Sequence, residues 1–167
     1  MVMAQLLAFC GLVTTAFAAK TADIILSLGG DDWTVDNGTS PHPASVPGSV
    51  YVDLMAAGVI GDPYYGTNPD DYKWVGTNNT WTYNKTFTVS ADMMKMRVIQ
   101  LISEGLDSYA TVSINDQLIF TNDNMYQRNF VEIKKFLHKG TNTISIAFRS
   151  KTEWAEDTAK TRMGRCW

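Results

Sequence analysis

The stretch Trp81-Thr82-Tyr83-Asn84-Lys85-Thr86-Phe87-Thr88-Val89, WTYNKTFTV, alternates strictly over nine residues. Successive side chains of a strand point to opposite faces. Trp81, Tyr83, Lys85, Phe87 and Val89 are therefore predicted to share one face, and Asn84 to lie with the threonines on the other. A strand with one apolar and one polar face belongs in an antiparallel sheet that covers a core on one side and meets water on the other.

The same reading extends in both directions. Arg97 to Ser103 reads as a mostly buried strand, and Tyr109 to Ile114 as another with Ala110, Val112 and Ile114 facing one way. Asn115-Asp116 fits a tight hairpin turn into Leu118-Ile119-Phe120. Phe130 to Ile133 is a further strand, Lys134 to His138 a turn of helix, and Lys139-Gly140 a break. Asn142 to Phe148 alternates again, with Ile144, Ile146 and Phe148 inward. Towards the N-terminus, Ile24 to Leu28 is a short strand, Gly29 to Asp32 a turn and Trp33 a core anchor. Residues 36–48, with Pro41, Pro43 and Pro47-Gly48, read as a loop. Ser49 caps a short helix whose Val50, Leu54 and Ala57 share a face, and Gly58 stops it. Residues 62–74 form a turn-rich loop loaded with aromatics. Many short strands, frequent turn signals and one short helix argue for an all-β fold, an antiparallel β-sandwich over residues 19–150 followed by a polar, weakly helical and irregular tail over 151–167.

The first eighteen residues, MVMAQLLAFCGLVTTAFA, carry no charged side chain and end in the small-x-small pattern Ala16-Phe17-Ala18. They are expected to be a secretory signal peptide, with the processed chain starting at Ala19 and carrying no membrane anchor. Three Asn-x-Thr sequons, at Asn37, Asn78 and Asn84, fit passage through the secretory pathway. Of the two cysteines, Cys10 leaves with the leader and Cys166 remains without an internal partner. A net charge of −3 with no basic block excludes the electrostatic footprint of a nucleic-acid binder. His42 and His138 are the only histidines and lie far apart, so no zinc-type spacing exists. Asp31-Asp32, Asp70-Asp71 and Asp123 read as solvated turns rather than calcium loops. No metal and no cofactor is expected.

Chained in order, several segments resemble the N-terminal domain of the animal lysosomal β-mannosidase family. They are Val46-Pro47-Gly48-Ser49-Val50, Asp53-Leu54, Asp62-Pro63-Tyr64-Tyr65-Gly66-Thr67-Asn68 and Trp74-Val75. Glu104 to Ala110, Ile114-Asn115-Asp116 and Asn122-Asp123-Asn124-Met125 continue the likeness, which runs from about Leu26 to Ser150. The resemblance implies a jelly-roll sandwich of galactose-binding type, the first module of a retaining glycosidase that removes terminal β-linked mannose from oligosaccharides in glycoprotein breakdown. It also implies delivery to the lysosome, where leader and sequons alone specify only the secretory route and leave an extracellular destination open.

Glu104 and Asp107, three residues apart beside Gly105, raise the question of a catalytic pair. Retaining glycosidases use two carboxyl groups about 5 Å apart, a nucleophile and an acid/base. The resemblance places both in a later β/α barrel, with the acid/base after an asparagine, and no Asn-Glu dipeptide occurs in this sequence. The family's Trp-Asp-Trp-Gly-Pro substrate loop is also absent before Trp167. No catalytic residue is therefore expected here. Glu104 to Asp107 reads as a connection between strands, in which Asp107 bonds nearby backbone. Asn68 is the single candidate substrate contact, set against its reading as a turn residue before Pro69. The chain is expected to be the non-catalytic part of a β-mannosidase that requires its C-terminal barrel, or alternatively a stand-alone secreted carbohydrate-binding module.

Expressed in animal cells, the chain is expected to lose residues 1–18 and to fall in mass when N-glycans are removed enzymatically, with Asn84 as the foremost acceptor. An unshifted band that retains Met1 would contradict both the leader and the sequons.

Overall fold

The computed structural model describes residues 4–9 and 23–163, so the expected cleavage point after Ala18 and the thiol of Cys166 lie outside the described residues. Among the described residues, ten strands form two antiparallel sheets. The larger has the order β4-β3-β5-β10-β7-β8 and the smaller β2-β1-β6-β9. In chain order the strands are β1 (Ala4–Phe9), β2 (Ile24–Ser27), β3 (Gly30–Asp36), β4 (His42–Val46) and β5 (Thr80–Val89). They continue as β6 (Val98–Ser103), β7 (Ala110–Ile114), β8 (Gln117–Asn122), β9 (Asn129–Glu132) and β10 (Gly140–Arg149).

The alternation of β5 sets the frame. Trp81, Tyr83, Lys85, Phe87 and Val89 are all buried, while Asn84 is half-buried between Thr34 of β3 and Ser145 of β10 on the outer face. Ile144 and Ile146 of β10 and Val112 and Ile114 of β7 continue the inner face. Across from them Ile99 and Leu101 of β6 complete a single apolar cluster between the sheets. Lys85 is the one cation on that inner face among the described residues. Its ammonium donates to the Leu28 carbonyl (3.1 Å) and to Asp32 Oδ1 (2.5 Å), and it lies 5.9 Å from the centroid of the Trp33 ring. A buried ammonium is tolerated only with such partners, since desolvating it unpaired costs several kcal/mol. The β7–β8 hairpin turns on Asn115 and Asp116, both with positive φ (49° and 62°), as a two-residue turn matched to strand twist requires.

Four local expectations differ. Residues 36–48 are not all loop, because His42–Val46 pairs with β3 and buries Ala44 and Val46. Pro43 is compatible with that strand because β4 is an edge, where a missing N–H breaks no inner ladder. Helices are also more numerous than the one foreseen, α1 (Val50–Ala56). α2 (Asn68–Asp71) lies inside the aromatic loop, α3 (Lys73–Thr77) starts at its end, and α4 (Ala91–Lys95) follows β5. Ser90 caps α4 by accepting from Met93 N (3.0 Å), and the helix buries Met93. The tail read as irregular forms α5 (Lys151–Met163), whose sequence has no apolar stripe. It is held to the sandwich by Trp154, which stacks on Tyr109 at 4.0 Å and 13°, and by ion pairs of Lys151 with Asp107 and of Arg149 with Glu153 and Asp157. The last difference is β3, which begins at Gly30 inside the stretch read as a turn; β1 falls on residues expected to belong to the leader.

The phase of β10 is testable. Ile146→Asp places a charge in the inter-sheet core and is expected to cost on the order of 4 kcal/mol. Ser145→Asp, on the outer face, is expected to stay within about 1 kcal/mol. Equal shifts in melting temperature would show that the strand faces are misassigned.

Candidate functional site

Two clefts flank α1, and Ser49 and Tyr51 line both. Ser49 begins the helix by accepting from Val52 N with its hydroxyl (3.4 Å). The first cleft, about 380 Å³, is floored by Val75, Trp81, Tyr83 and Phe148 and rimmed by Asn78, Asp107, Arg149 and Lys151. Its floor is rigid: Trp81 Nε1 donates to the Val75 carbonyl (2.8 Å), and Phe148 meets the Tyr83 ring edge-on at 6.0 Å and 86°. The second, about 540 Å³, lies between Val52 and Met55 of α1 and the aromatic loop with Pro63, Tyr64 and Tyr72. Tyr64 and Tyr65 are 92% and 76% exposed, far more than rings that merely cover a core end. Apolar walls with a few placed polar groups are the usual form of a small-molecule site, and aromatic faces with polar tips suit a polyhydroxylated ring.

The helix between the clefts is anchored by Asp53, 3% exposed. Its Oδ1 accepts from Ser45 N (3.0 Å) and its Oδ2 from the Tyr83 hydroxyl (2.6 Å), tying α1 to β4 and β5. Burial pushes the Tyr83 phenol well above the ordinary tyrosine range, and the adjacent Asp53 carboxylate adds to the shift. Gly48 sits at the same junction, where a Cβ would meet the Ser45 carbonyl oxygen at 2.2 Å.

Glu104 and Asp107 are each engaged by a cation from elsewhere in the fold. Both oxygens of Glu104 are taken by the Arg128 guanidinium, Oε1 by Nη2 (2.7 Å) and Oε2 by Nε (2.6 Å). Asp107 Oδ1 accepts from Ser108 Oγ (2.5 Å) and faces Lys151 Nζ (2.8 Å). Partial burial raises the Asp107 carboxyl, but the Lys151 and Ser108 donors outweigh it and hold the group below the usual carboxylate range. That direction is opposite to what a general acid working near neutrality needs.

Asn68 opens α2 on the aromatic loop, half-buried, and its Nδ2 donates to the Asp62 carbonyl (2.7 Å), the role of a turn residue. The three sequon asparagines are separated. Asn37 is at the β3–β4 turn, where its Oδ1 accepts from Thr39 N (3.1 Å). Asn78 donates to the Thr80 carbonyl (2.8 Å) at the rim of the first cleft. Asn84 accepts from Ser145 Oγ (2.5 Å) through Oδ1, a bond that a sugar on Nδ2 would leave intact. Sequence reasoning missed Tyr51, Arg149 and Lys151 as cleft residues. Nothing local marks them, because the strands that gather them are distant in sequence.

The family described as glycosyl hydrolase 2 galactose-binding domain-like matches residues 33–167. The chain is 36% identical to a β-mannosidase of Capra hircus and 37% identical to one of Bos taurus, over 157 residues in each case. Those residues are 93% of this chain and 17% of either relative. Among solved structures, the β-D-mannosidase of Dictyoglomus thermophilum superimposes with a TM-score of 0.77 at 32% identity, over 81% of this chain and 17% of that one.

Tyr83→Phe removes one of the two donors to a buried carboxylate and is expected to cost about 2 kcal/mol at neutral pH. A phenol raised on folding contributes its stability below the unfolded value of about 10 and loses it as pH rises beyond that point, because the unfolded chain releases the proton first. The stability gap between wild type and Tyr83→Phe should therefore narrow from about pH 9 to about pH 11. A constant gap would show that the phenol is not the donor.

Proposed function

We propose, since the chain belongs to the glycosyl hydrolase 2 galactose-binding domain-like family, that it is the non-catalytic N-terminal domain of a β-mannosidase. The complete enzyme is a retaining glycosidase that removes terminal β-linked mannose from oligosaccharides in glycoprotein catabolism. The observation that carries this reading is the alignment of 93% of the chain with β-mannosidases of which it covers 17%. The ion-paired state of Glu104 and Asp107 supports it, since neither carboxylate is placed as a proton donor. Chemistry then belongs to a catalytic barrel elsewhere in the enzyme, and this domain contributes the rim of the site. Asn68, on the exposed aromatic loop, is the one residue we name as a candidate contact to a mannose hydroxyl, beside its role in the turn through the Asp62 carbonyl. The apolar leader and the sequons at Asn37, Asn78 and Asn84 support a glycosylated product of the secretory pathway, for which we infer delivery to the lysosome from the resemblance.

A second reading, a secreted carbohydrate-binding module that works alone, draws on the cleft of about 540 Å³ beside Tyr64. The two readings separate in titration. A module that works alone binds mannose oligosaccharides, seen as shifts of the Tyr64 and Asn68 resonances, whereas a domain that only completes a larger site leaves them unmoved.

The chain itself is expected to release no product from a β-mannoside above the uncatalysed background. In a complete enzyme carrying this domain, Glu104→Gln should lower the melting temperature yet leave kcat of the folded fraction within roughly tenfold of wild type. Turnover by the isolated chain, abolished by Glu104→Gln with folding intact, would overturn the assignment.

A further inference from the structure

The chemistry of the cleft of about 380 Å³ narrows what can fill it. Its floor of Val75, Trp81, Tyr83 and Phe148 is apolar, since the Tyr83 hydroxyl is already given to Asp53. The charges on its rim are paired as well. Lys151 Nζ meets Asp107 Oδ1 at 2.8 Å, and the Arg149 guanidinium meets Glu153 (3.2 Å) and Asp157. A charged ligand would compete with a counter-ion already in place, and a wholly apolar one would leave the polar rim facing it. The cleft therefore suits a neutral, amphipathic ring, and its volume is at the lower end of small-molecule sites, which span about 300–1,000 Å³.

A second observation puts an attachment point for such a ring on the rim. Asn78, which lines the cleft, opens the sequon Asn78-Asn79-Thr80. Its backbone is pinned on both sides. Asn78 N donates to the Trp74 carbonyl (2.8 Å) where α3 ends, and the Asn79 carbonyl accepts from Ser150 N just after β10 (2.9 Å). The Asn78 amide gives one N–H to the Thr80 carbonyl (2.8 Å) and makes no other hydrogen bond among the described residues. A glycosylated amide keeps one N–H, so the Thr80 bond survives attachment. Asn37 and Asn84, the other sequon asparagines, line neither cleft.

We propose that the first sugar of an N-linked glycan on Asn78, an N-acetylglucosamine, sits in this cleft and completes that end of the core. The seat presupposes the glycosylated, secretory product proposed above. In the modification Asn78 Nδ2 forms a bond to C1 of the sugar, and the bond from C1 to the pyrophosphate of a lipid-linked oligosaccharide breaks. The lipid pyrophosphate leaves, and the amide proton passes to a base of the transferase. The sugar is neutral, with C–H groups for the rings of Trp81 and Phe148 and hydroxyls for the rim. A free monosaccharide in so small a cleft is held weakly. One tethered at the rim has an effective concentration in the millimolar range, which fills a weak site, and the pinned sequon lowers the ordering cost further. The glycan on Asn78 is then part of the fold, whereas sugars on Asn37 or Asn84 extend into solvent. Free saccharides are left the cleft beside Tyr64.

The test uses the full chain made in animal cells with isotope-labelled acetamido methyl groups, then trimmed by an endoglycosidase to a single N-acetylglucosamine at each occupied asparagine. Glycopeptide masses are expected to show the sugar on Asn78. Its methyl resonance should lie upfield of free N-acetylglucosamine and of any sugar on Asn37 or Asn84, moved by the ring currents of the floor, with NOEs to Trp81 or Phe148. Thr80→Ala removes the sequon at a residue that does not line the cleft. It should lower the melting temperature of the glycosylated protein by roughly 3 °C more than that of the unglycosylated protein from bacteria. The methyl readout needs no variant, so it decides the seat even where Thr80→Ala fails to fold. An Asn78 without sugar would overturn both the seat and the glycosylated reading at that residue. A sugar on Asn78 whose methyl resonates with the free sugar and shows no ring NOE would overturn the seat and leave the glycosylated reading standing. Equal losses of melting temperature with and without glycans would overturn the sugar's part in completing the core.

Discussion

The buried carboxylate of Asp53 is the constraint on which the functional end of the domain depends. It is almost wholly removed from water, so it persists only with hydrogen-bond donors in place. The donors come from two strands of the larger sheet, Ser45 N of β4 and the Tyr83 hydroxyl of β5. Because Asp53 sits on α1, satisfying it fixes the helix over the sheet edge, and both clefts follow from that placement. The Tyr83 ring serves twice, as donor to Asp53 and as floor of the first cleft against Phe148.

Elsewhere the loop ends are held by asparagine side chains. Asn122, 5% exposed, donates to the carbonyls of Leu106, Ser108 and Asn124 and accepts from Asn129, gathering the connections on either side of β7 and β8. Asn142, 1% exposed, accepts from His138 N and Asn115 and donates to the carbonyls of His138 and Gly140. An amide can donate and accept at once, so one side chain closes a loop whose backbone has no ladder. The result is a sandwich whose loop ends are tied by side-chain hydrogen bonds, and Tyr64 and Tyr65 on the aromatic loop stand exposed beside it.

What could be read from the amino acids alone follows the range of the interactions. The period-two pattern of Trp81 to Val89 is local and strong, and every residue assigned inward is buried. The Ser49 cap and the Asn115-Asp116 turn are local as well, and both stand. The strand at His42–Val46 was hidden because Pro43 signals loop unless the strand is known to be an edge, which is a property of the sheet. α5 was hidden because its anchor, the Trp154 stack on Tyr109, joins residues far apart in sequence. The buried state of Asp53 was equally unreadable, since its donors lie eight and thirty residues away. Segments whose order depends on distant partners carry no local sign of it, which is why family resemblance pointed to the Asp53 motif before any physical account of it was possible.

The crowding at Gly48 bears on how this chain can vary. A side chain there would collide with a carbonyl oxygen that belongs to the backbone of β4's Ser45, and no rotamer relieves such a clash. Ser45 is also the residue whose N–H holds Asp53, so even a methyl group at position 48 would be felt as a loosened carboxylate. By contrast Gly66, on the aromatic loop, has open space around it and only its positive φ of 57° to restrict replacement, a conformation that asparagine tolerates. Inherited variation should therefore be unevenly spread over the two ends of one short segment: tolerated at the tip that meets solvent, and damaging at the half-buried glycine that lies against the backbone of β4.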